Sequence, residues 1–396
     1  MITVEEAKSI IVENTIEIAE AMRVDAAGAV GFRLAADVLA SIDLPPFNQS
    51  NVDGYAVRSS NDKTNSWKVI AEIKAGDNCT VELKEEEAVR IFTGAMVPAG
   101  SDCVIMQERI TKNGDIISCD ETPIKKGEHI RKKGAQIKAG EIALHKNTLI
   151  DPAVLGFISS LGLNKVSVFK KPKVSLIITG NELQETGTEL SPGKVYESNS
   201  YSLSAALTTM GLKLEKIIYV KDDKKSLAEA VDTALQNTNL LLISGGISVG
   251  DYDFVSEVLK ENNTTTLFYK VAQKPGKPLF FGKNKNRCIF GLPGNPASAL
   301  TCFYEYVYPC LRKLQGRQEL FLTKLMLPIV QDVPKKKGLA NFLKAKASST
   351  GVLPLEGQES FKMRSFADAN AFIYLPLEKE NVKAGELVEV HILPEL

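Results

Sequence analysis

At 396 residues the chain exceeds what a single core supports, and two to four domains of roughly 100–150 residues each are expected. Its 48 Lys and Arg balance 48 Asp and Glu, which excludes the basic excess that a nucleic-acid backbone needs and the acidic tail that a basic partner needs; any bound anion must be held locally. Hydrophobic content of 44% with 24% charged residues is that of a soluble globular chain, and no apolar run approaches the ~20 residues of a membrane span.

The opening Met1-Ile2-Thr3-Val4-Glu5-Glu6 lacks the basic and apolar regions of a signal peptide, so a cytoplasmic location is expected. Six scattered cysteines with no C-x-x-C pair predict reduced thiols and no zinc cluster. His129, His145 and His391 are too dispersed to suggest a His-rich metal site.

Thr3 with Glu6 forms a capping box, and Val4, Ala7, Ile10, Ile11, Ile18 and Met22 recur at near-helical spacing, predicting a first helix. From about Leu34 to Leu149 the texture becomes β-rich, with runs at Lys68–Ile73, Ala88–Phe92 and Cys103–Gln107 broken by Gly, Pro and Asn turns. Asp151-Pro152 then places an N-cap before a proline at the first helical position, and Gly162 ends that helix. From Lys173 strands and helices alternate: strand Val174–Ile178, helix Tyr201–Met210, strand Ile217–Val220, helix Ser226–Gln236, strand Leu240–Ile243 and helix Phe254–Glu261. Continuous apolar runs such as Leu240-Leu241-Leu242-Ile243 suit a parallel sheet covered on both faces, so a doubly wound α/β domain is predicted. Strand Cys288–Phe290 and a helix from Ala297 to Leu311 complete it, and from Glu319 onward short β-like runs suggest a small sandwich or barrel.

The sharpest local feature is Ser244-Gly245-Gly246-Ile247-Ser248-Val249-Gly250-Asp251-Tyr252-Asp253, between a buried strand and a helix. In open α/β sheets ligands sit beyond the carboxyl ends of strands, and glycines let backbone N–H groups approach a phosphate. The run has neither the Gly-Lys-Ser/Thr ending of a P-loop nor G-x-G-x-x-G, so an ordinary NTPase or nicotinamide enzyme is not indicated; taken alone it also suits a plain strand–helix turn. Lys270, Lys274 and Lys277, around Gln273-Lys274-Pro275-Gly276-Lys277-Pro278, put three cations in one stiff segment suited to an oxyanion. Gly291-Leu292-Pro293-Gly294-Asn295-Pro296 reads as another cavity wall. Glu182, Asp222, Asp223, Asp251 and Asp253 fall at or just beyond strand ends of the same sheet, where together they can hold Mg²⁺ against a substrate diphosphate, although an N-cap is the commoner role for Asp222, Asp223 and Asp253. By spacing alone, the segments around Asp53 and Thr93 are hairpin turns.

Taken in order, PPFNQSNVDGYAV (45–57), RIFTGAMVPAGSDCVIMQE (90–108), IRKKG (130–134), TGNEL (179–183), SGGISVGDYDF (244–254), KPGKPLFFGK (274–283) and GLPGNPASAL (291–300) resemble the molybdopterin molybdenumtransferase family, which includes the C-terminal catalytic domain of gephyrin. The resemblance implies a multidomain α/β plus β chain: a helical linker from residues 1–33 and 138–166, a β-rich insert over 34–137, a doubly wound molybdopterin-binding α/β domain over 167–317 and a C-terminal β-barrel over 318–396. It implies a homodimer whose site is shared between subunits. It also implies a reaction of molybdate with adenylylated molybdopterin that yields molybdenum cofactor and AMP with Mg²⁺, with a molybdopterin adenylyltransferase as a possible partner. Carried onto this chain, Asp53, Thr93, Glu182 and Asp253 are the expected catalytic residues, with Asp222 or Asp223 beside them. Substrate contacts are expected from Ser244, Gly245, Gly246, Ser248 and Gly250, from Lys270, Lys274, Lys277 and Arg131, and from Pro293, Gly294, Asn295 and Pro296. The chain departs from the family pattern at Gln136, Gly338-Leu339, Glu359-Ser360-Phe361 and Arg364-Ser365, so the resemblance carries no substrate-binding role onto Leu339, Gln136 or the Ser365 region.

Two other readings compete: a pyrophosphatase of the competence-damage type, using the same α/β domain on another nucleotide, and a gephyrin-like scaffold without turnover. The insert motifs around Asp53 and Thr93 argue against the first, and the absence of a long disordered linker or a second fused domain argues against the second.

Overall fold

A computed structural model describes residues 1–59, 65–120, 124–247 and 254–394. The chain divides into two compact units, Ala21–Val168 and the pair Met1–Glu20 with Phe169–Leu396. Helix α1 (Val4–Asn14) opens the chain through the predicted capping box, Thr3 accepting from Glu6 N and Glu6 accepting from Thr3 N. It buries Val4, Ala7 and Ile11 in the core of the second unit. The helix ends at Asn14, short of Ile18 and Met22, which the spacing assigns to it; Met22 falls in the strand Ala21–Asp25 instead.

The Ala21–Val168 unit is built on a six-stranded sheet of β1 (Gly54–Val57), β2 (Ser66–Ile73), β3 (Glu87–Ile91), β4 (Cys103–Met106), β5 (Thr111–Asn113) and β6 (Ile116–Ser118), in the order β4-β1-β3-β2-β6-β5. Alternate side chains cover both faces: Tyr55, Val57, Ala88 and Ile105 on one, Ala56, Val89, Ile91 and Val104 on the other. Gly54 is required where β1 meets β4, because a Cβ there would stand 1.9 Å from the Ile105 carbonyl oxygen. Helix α2 (Pro152–Ser160) is capped by Asp151, which accepts from Val154 N at 2.8 Å, and buries Ile158 with Ala26, Ala29 and Leu34.

In the other unit, β7 (Val174–Thr179), α3 (Asn199–Thr209), β8 (Leu214–Val220), α4 (Lys224–Leu235), β9 (Leu240–Ser244), α5 (Phe254–Glu261), β10 (Thr265–Lys270), β11 (Gln273–Lys274), β12 (Pro278–Asn284) and β13 (Arg287–Leu292) follow in turn. The main sheet runs β8-β7-β9-β13-β12-β10. β8, β7, β9 and β13 are parallel; β12 and β10 are antiparallel additions that the sequence reading leaves as loop. Every residue of β7 and β9 is buried. Leu176, Ile178, Leu240 and Leu242 face the core shared with α1 and α3, while Ile177, Leu241 and Ile243 face α4 and α5. This is the doubly wound arrangement. The chain leaves β7 for β8 on one side and returns to β9 on the other, so the crossovers part between the carboxyl ends of β7 and β9 and open a crevice there.

Helix α6 (Pro296–Cys302) runs through a π-helical turn, Phe303–Val307, into α7 (Tyr308–Leu314). Beyond it, β14 (Thr323–Pro328), β15 (Ala340–Ser348), β16 (Gly351–Pro354), β17 (Ala371–Leu375) and β18 (Leu387–Ile392) pair as β16-β15-β17-β18-β14, and a bridge between Ile329 and Val352 closes the circuit into a small barrel around Ile373, Val388 and Val390. The two-residue strand β11 adds to the open side of β15, joining the lysine segment to the barrel.

Candidate functional site

The crevice between β7 and β9 is a cavity of about 690 Å³. Its floor is Thr179-Gly180 from β7 and Ser244-Gly245-Gly246 from β9; Glu182 and Asp222 line it on one side and Pro293-Gly294-Asn295-Pro296 on the other. The glycines are needed for close approach: a Cβ on Gly245, at φ +93°, would lie 2.1 Å from the Thr179 carbonyl oxygen, and one on Gly180 would lie 2.9 Å from both Glu182 carboxylate oxygens. Ser244, Gly245, Gly246, Pro293, Gly294, Asn295, Pro296 and Glu182 are thus gathered as the sequence reading expects. Ser248, Gly250, Asp251 and Asp253 lie outside the described residues.

The adjacent aspartates have different work. Asp222 lines the cavity, accepts from Thr179 Oγ1 at 3.2 Å and donates its backbone N–H to Asn181 Oδ1 at 3.2 Å. Asp223 is the N-cap of α4, accepting from Ser226 N at 2.9 Å and Ser226 Oγ at 2.8 Å. Those bonds, the backbone one foremost, hold its carboxyl below the usual aspartate range. Of the pair, Asp222 faces the cavity. Among the described residues no group of three or more His, Cys, Asp and Glu is placed to hold a metal ion.

A second cavity, of about 820 Å³, shares Pro278, Pro293, Asn295 and Phe361 with the first. Lys274 and Lys277 line it, whereas Lys270 lines neither cavity. The end of β10 turns Lys270 aside, with Nζ 5.5 Å from the Tyr269 ring centroid. Leu339, Glu359, Ser360 and Phe361 form the opposite wall, so the segment that diverges from the family pattern lines the cleft. Ser360 is fixed there, its Oγ taking Asn295 Nδ2 at 2.9 Å and its carbonyl taking the Ala297 N–H at 3.1 Å.

Sequence reasoning also missed Asn199 at the start of α3. It is 8% exposed, lines the first cavity, and donates from Nδ2 to Ser244 Oγ at 2.8 Å and to the Gly294 carbonyl at 2.9 Å, leaving Oδ1 without a partner. It ties two loops that are 45 and 95 residues away, and no local pattern announces that.

In the Ala21–Val168 unit, Asp53 Oδ1 accepts from both Thr93 N and Thr93 Oγ1 at 2.8 Å. The backbone bond and then the hydroxyl bond, with Arg90 nearby, hold the Asp53 carboxyl below its ordinary range. Arg90 is itself fixed between the rings of Tyr55 and Phe92, 5.0 and 4.8 Å from their centroids. Arg131 donates to Asn51 Oδ1 at 2.8 Å, in the turn that leads to Asp53.

An open sheet with a glycine-walled crevice at its crossover point is the framework of a ligand-binding α/β protein, and three family models match the chain in order. They are the MoeA N-terminal region (domain I and II) over residues 2–162, a probable molybdopterin binding domain over 177–313 and the MoeA C-terminal region (domain IV) over 327–393. The molybdopterin molybdenumtransferase of Staphylococcus epidermidis is 33% identical over 98% of this chain and 95% of its own. That of Haemophilus influenzae is 33% identical over 98% of each. Crystal structures of the molybdopterin biosynthesis MoeA protein from Pyrococcus horikoshii superpose with TM-scores of 0.84 and 0.83 at 32% and 28% identity, the first over 100% of both chains, the second over 99% of this chain and 100% of the other. The chain belongs to the molybdopterin molybdenumtransferase family, whose role is in molybdenum-cofactor biosynthesis.

Proposed function

We infer that the chain inserts molybdate into adenylylated molybdopterin, releasing AMP, in the last step of molybdenum-cofactor assembly. The observation that carries the reading is the joined pair of cavities, one lined by Glu182 and Asp222, the other by Lys274 and Lys277. A phosphoanhydride suits the first and a tetrahedral dianion such as molybdate suits the second. Lys274 and Lys277 attract and orient the molybdate as point charges. The Gly245 and Gly246 backbone lets the phosphates come close, while Asn199 and Thr179 keep the loops at fixed separation.

Glu182 and Asp222 fit Mg²⁺, since both line the cavity and this ion takes one or two carboxylates plus substrate phosphates. When bound there it supplies positive charge against the phosphate oxygens. Asp53, its Oδ2 without a hydrogen-bond partner among the described residues, is assigned to the same chemistry from the partner subunit of a homodimer. Asp53, Thr93 and Glu182 orient the water that splits the anhydride, with Asp253 assigned beside them and Arg131 as a further substrate contact. An adenylyltransferase that supplies the substrate and a cytoplasmic setting complete the reading.

The test is AMP release from adenylylated molybdopterin by the purified protein with Mg²⁺, with and without molybdate. Molybdate-dependent release with active cofactor formed is the expected result; release indifferent to molybdate overturns the transferase assignment in favour of a pyrophosphatase.

A further inference from the structure

The lysine segment stands on a buried amide. Lys274 and Lys277 are exposed, whereas Gly276 between them is buried and Gln273 just before them is 0% exposed. Gln273 Nε2 donates to the Gly276 carbonyl at 3.1 Å, and Gln273 Oε1 accepts from the hydroxyl of Tyr306, which is 0% exposed in the π-helical turn. The partners settle which way the amide points: a backbone carbonyl can only accept, so the nitrogen faces Gly276 and the oxygen faces Tyr306.

The segment is tied on two further sides. At its base Val271 N donates to the Lys277 carbonyl at 3.1 Å. Beneath it, Gly276, at φ +81°, lies so close to α6 that a Cβ would stand 2.4 Å from Cys302 Sγ and 3.0 Å from Gln273 Nε2. An apolar side chain of the same volume would fill the space under Gly276 without the cost of burying an amide. What the amide adds is direction, since it holds one carbonyl of the segment at a set distance from the helix below.

We propose that Gln273, braced by Tyr306, is a positioning residue for the anion: it fixes the Gly276 carbonyl, and through the Pro275-Gly276 backbone the points from which Lys274 and Lys277 reach into their cavity. The proposal rests on the reading of those lysines as the molybdate seat. A lysine is a point charge on a flexible stem, so the part of such a seat that the fold can preorganise is the backbone that carries the stems. Loosening that backbone weakens molybdate binding before and during the reaction alike, which raises KM for molybdate and spares kcat.

The experiment is calorimetric titration of the full chain with sodium molybdate, together with AMP release from adenylylated molybdopterin measured against molybdate concentration, in the wild type, Gln273→Met, Tyr306→Phe and Gln273→Glu. The expected result is Kd and KM for molybdate about tenfold higher in Gln273→Met and raised in the same direction in Tyr306→Phe, with kcat within about twofold of wild type. Gln273→Glu is the rescue: its neutral carboxyl can donate to the Gly276 carbonyl and accept from Tyr306, so it should match the wild type at about pH 6 and fall behind it towards about pH 9, as an ionised carboxylate comes to face that carbonyl. Molybdate affinity unchanged in both Gln273→Met and Tyr306→Phe overturns the positioning role, as does a fall in kcat with KM unmoved; with molybdate-dependent turnover in the wild type, either result leaves the transferase reading standing. Should Gln273→Met fail to fold, Tyr306→Phe, which removes a single oxygen, decides the matter by the same readout. A wild type that binds no molybdate and releases AMP without it defeats the molybdate reading of the lysines and the role of Gln273 together.

Discussion

Nδ1 of His391, on the barrel strand β18, lies 2.7 Å from Oε1 of Glu305, in the π-helical turn after α6, with both side chains 2% exposed. Lys8 of α1 reaches the other Glu305 oxygen, and Glu389 binds both His391 Nε2 at 2.8 Å and Lys324 at 2.7 Å. A relay of alternating charge therefore clamps α1, the π-helical turn and the barrel. Burial pushes the Glu305 carboxyl up, but Lys8 and His391 outweigh it and bring it to about 2. Burial likewise opposes the imidazolium, and Glu305 with Glu389 outweighs that, raising His391.

The raised His391 contributes stability fully below its unfolded value near 6.5, and that contribution is lost as pH rises through the folded value. The depressed Glu305 contributes fully above its unfolded value near 4.5, and that is lost as pH falls towards about 2. The clamp is thus strongest between roughly pH 4.5 and 6.5. Removing one partner of a buried pair costs about 3–5 kcal/mol, so His391→Ala should lose about 3 kcal/mol in urea unfolding at pH 6, and progressively less as the pH is raised through the folded-state value of the imidazole. A loss that stays the same across the whole alkaline range would show that packing, not charge, sets the effect.

Asp222→Asn should abolish turnover with the melting temperature unchanged, because its carboxylate faces the cavity. Asp223→Ala should keep activity within about threefold and lower the melting midpoint by on the order of 2 °C, the signature of a lost helix cap. Activity assays and thermal melts of the two variants decide it. Loss of turnover in Asp223→Ala alone would reverse the roles.

Asp53→Asn should remove turnover without altering the fold. Thr93→Ala is the sharper case: deleting one of the two donors that depress the Asp53 carboxyl raises its pKa towards the ordinary value. The acid limb of the pH–rate profile should then move to higher pH. A limb that stays in place would mean that Asp53 is not the group titrating in it.

Gly245→Ala should destabilise the chain by about 2 kcal/mol or more, since the new methyl meets the Thr179 carbonyl oxygen in a left-handed backbone conformation. A denaturant titration reads this directly. A wild-type midpoint would refute the tight crossing of β7 and β9 on which the cavity floor depends.

The local grammar of the chain announces much of this. Leu240-Leu241-Leu242-Ile243 reads as a strand buried on both faces and is one, and Asp151-Pro152 starts the helix it promises. Gly245 and Gly246 stand where a close approach demands them. Pairing between distant segments stays hidden: β10 and β12 extend the sheet antiparallel, and β11 is a strand only because β15 lies beside it. The choice between Asp222 and Asp223 likewise turns on which carboxylate Ser226 captures. Ser360 and Phe361 enter the cleft through barrel packing that no motif encodes.

The segment from Lys270 to Lys274 is held from two directions in the chain. Ile2 N donates to the Lys270 carbonyl and Ala272 N to the Ile2 carbonyl, while Ala340 N donates to the Ala272 carbonyl. During synthesis the glycine walls of the crevice, all before residue 300, emerge well ahead of the strand that seats the lysines. The nascent chain therefore passes through an interval in which the glycine walls of the crevice are already in place while the lysine-lined cavity still lacks its outer seam, and that cavity is finished only when β15 and the wall beyond it, Glu359 to Phe361, have cleared the ribosome.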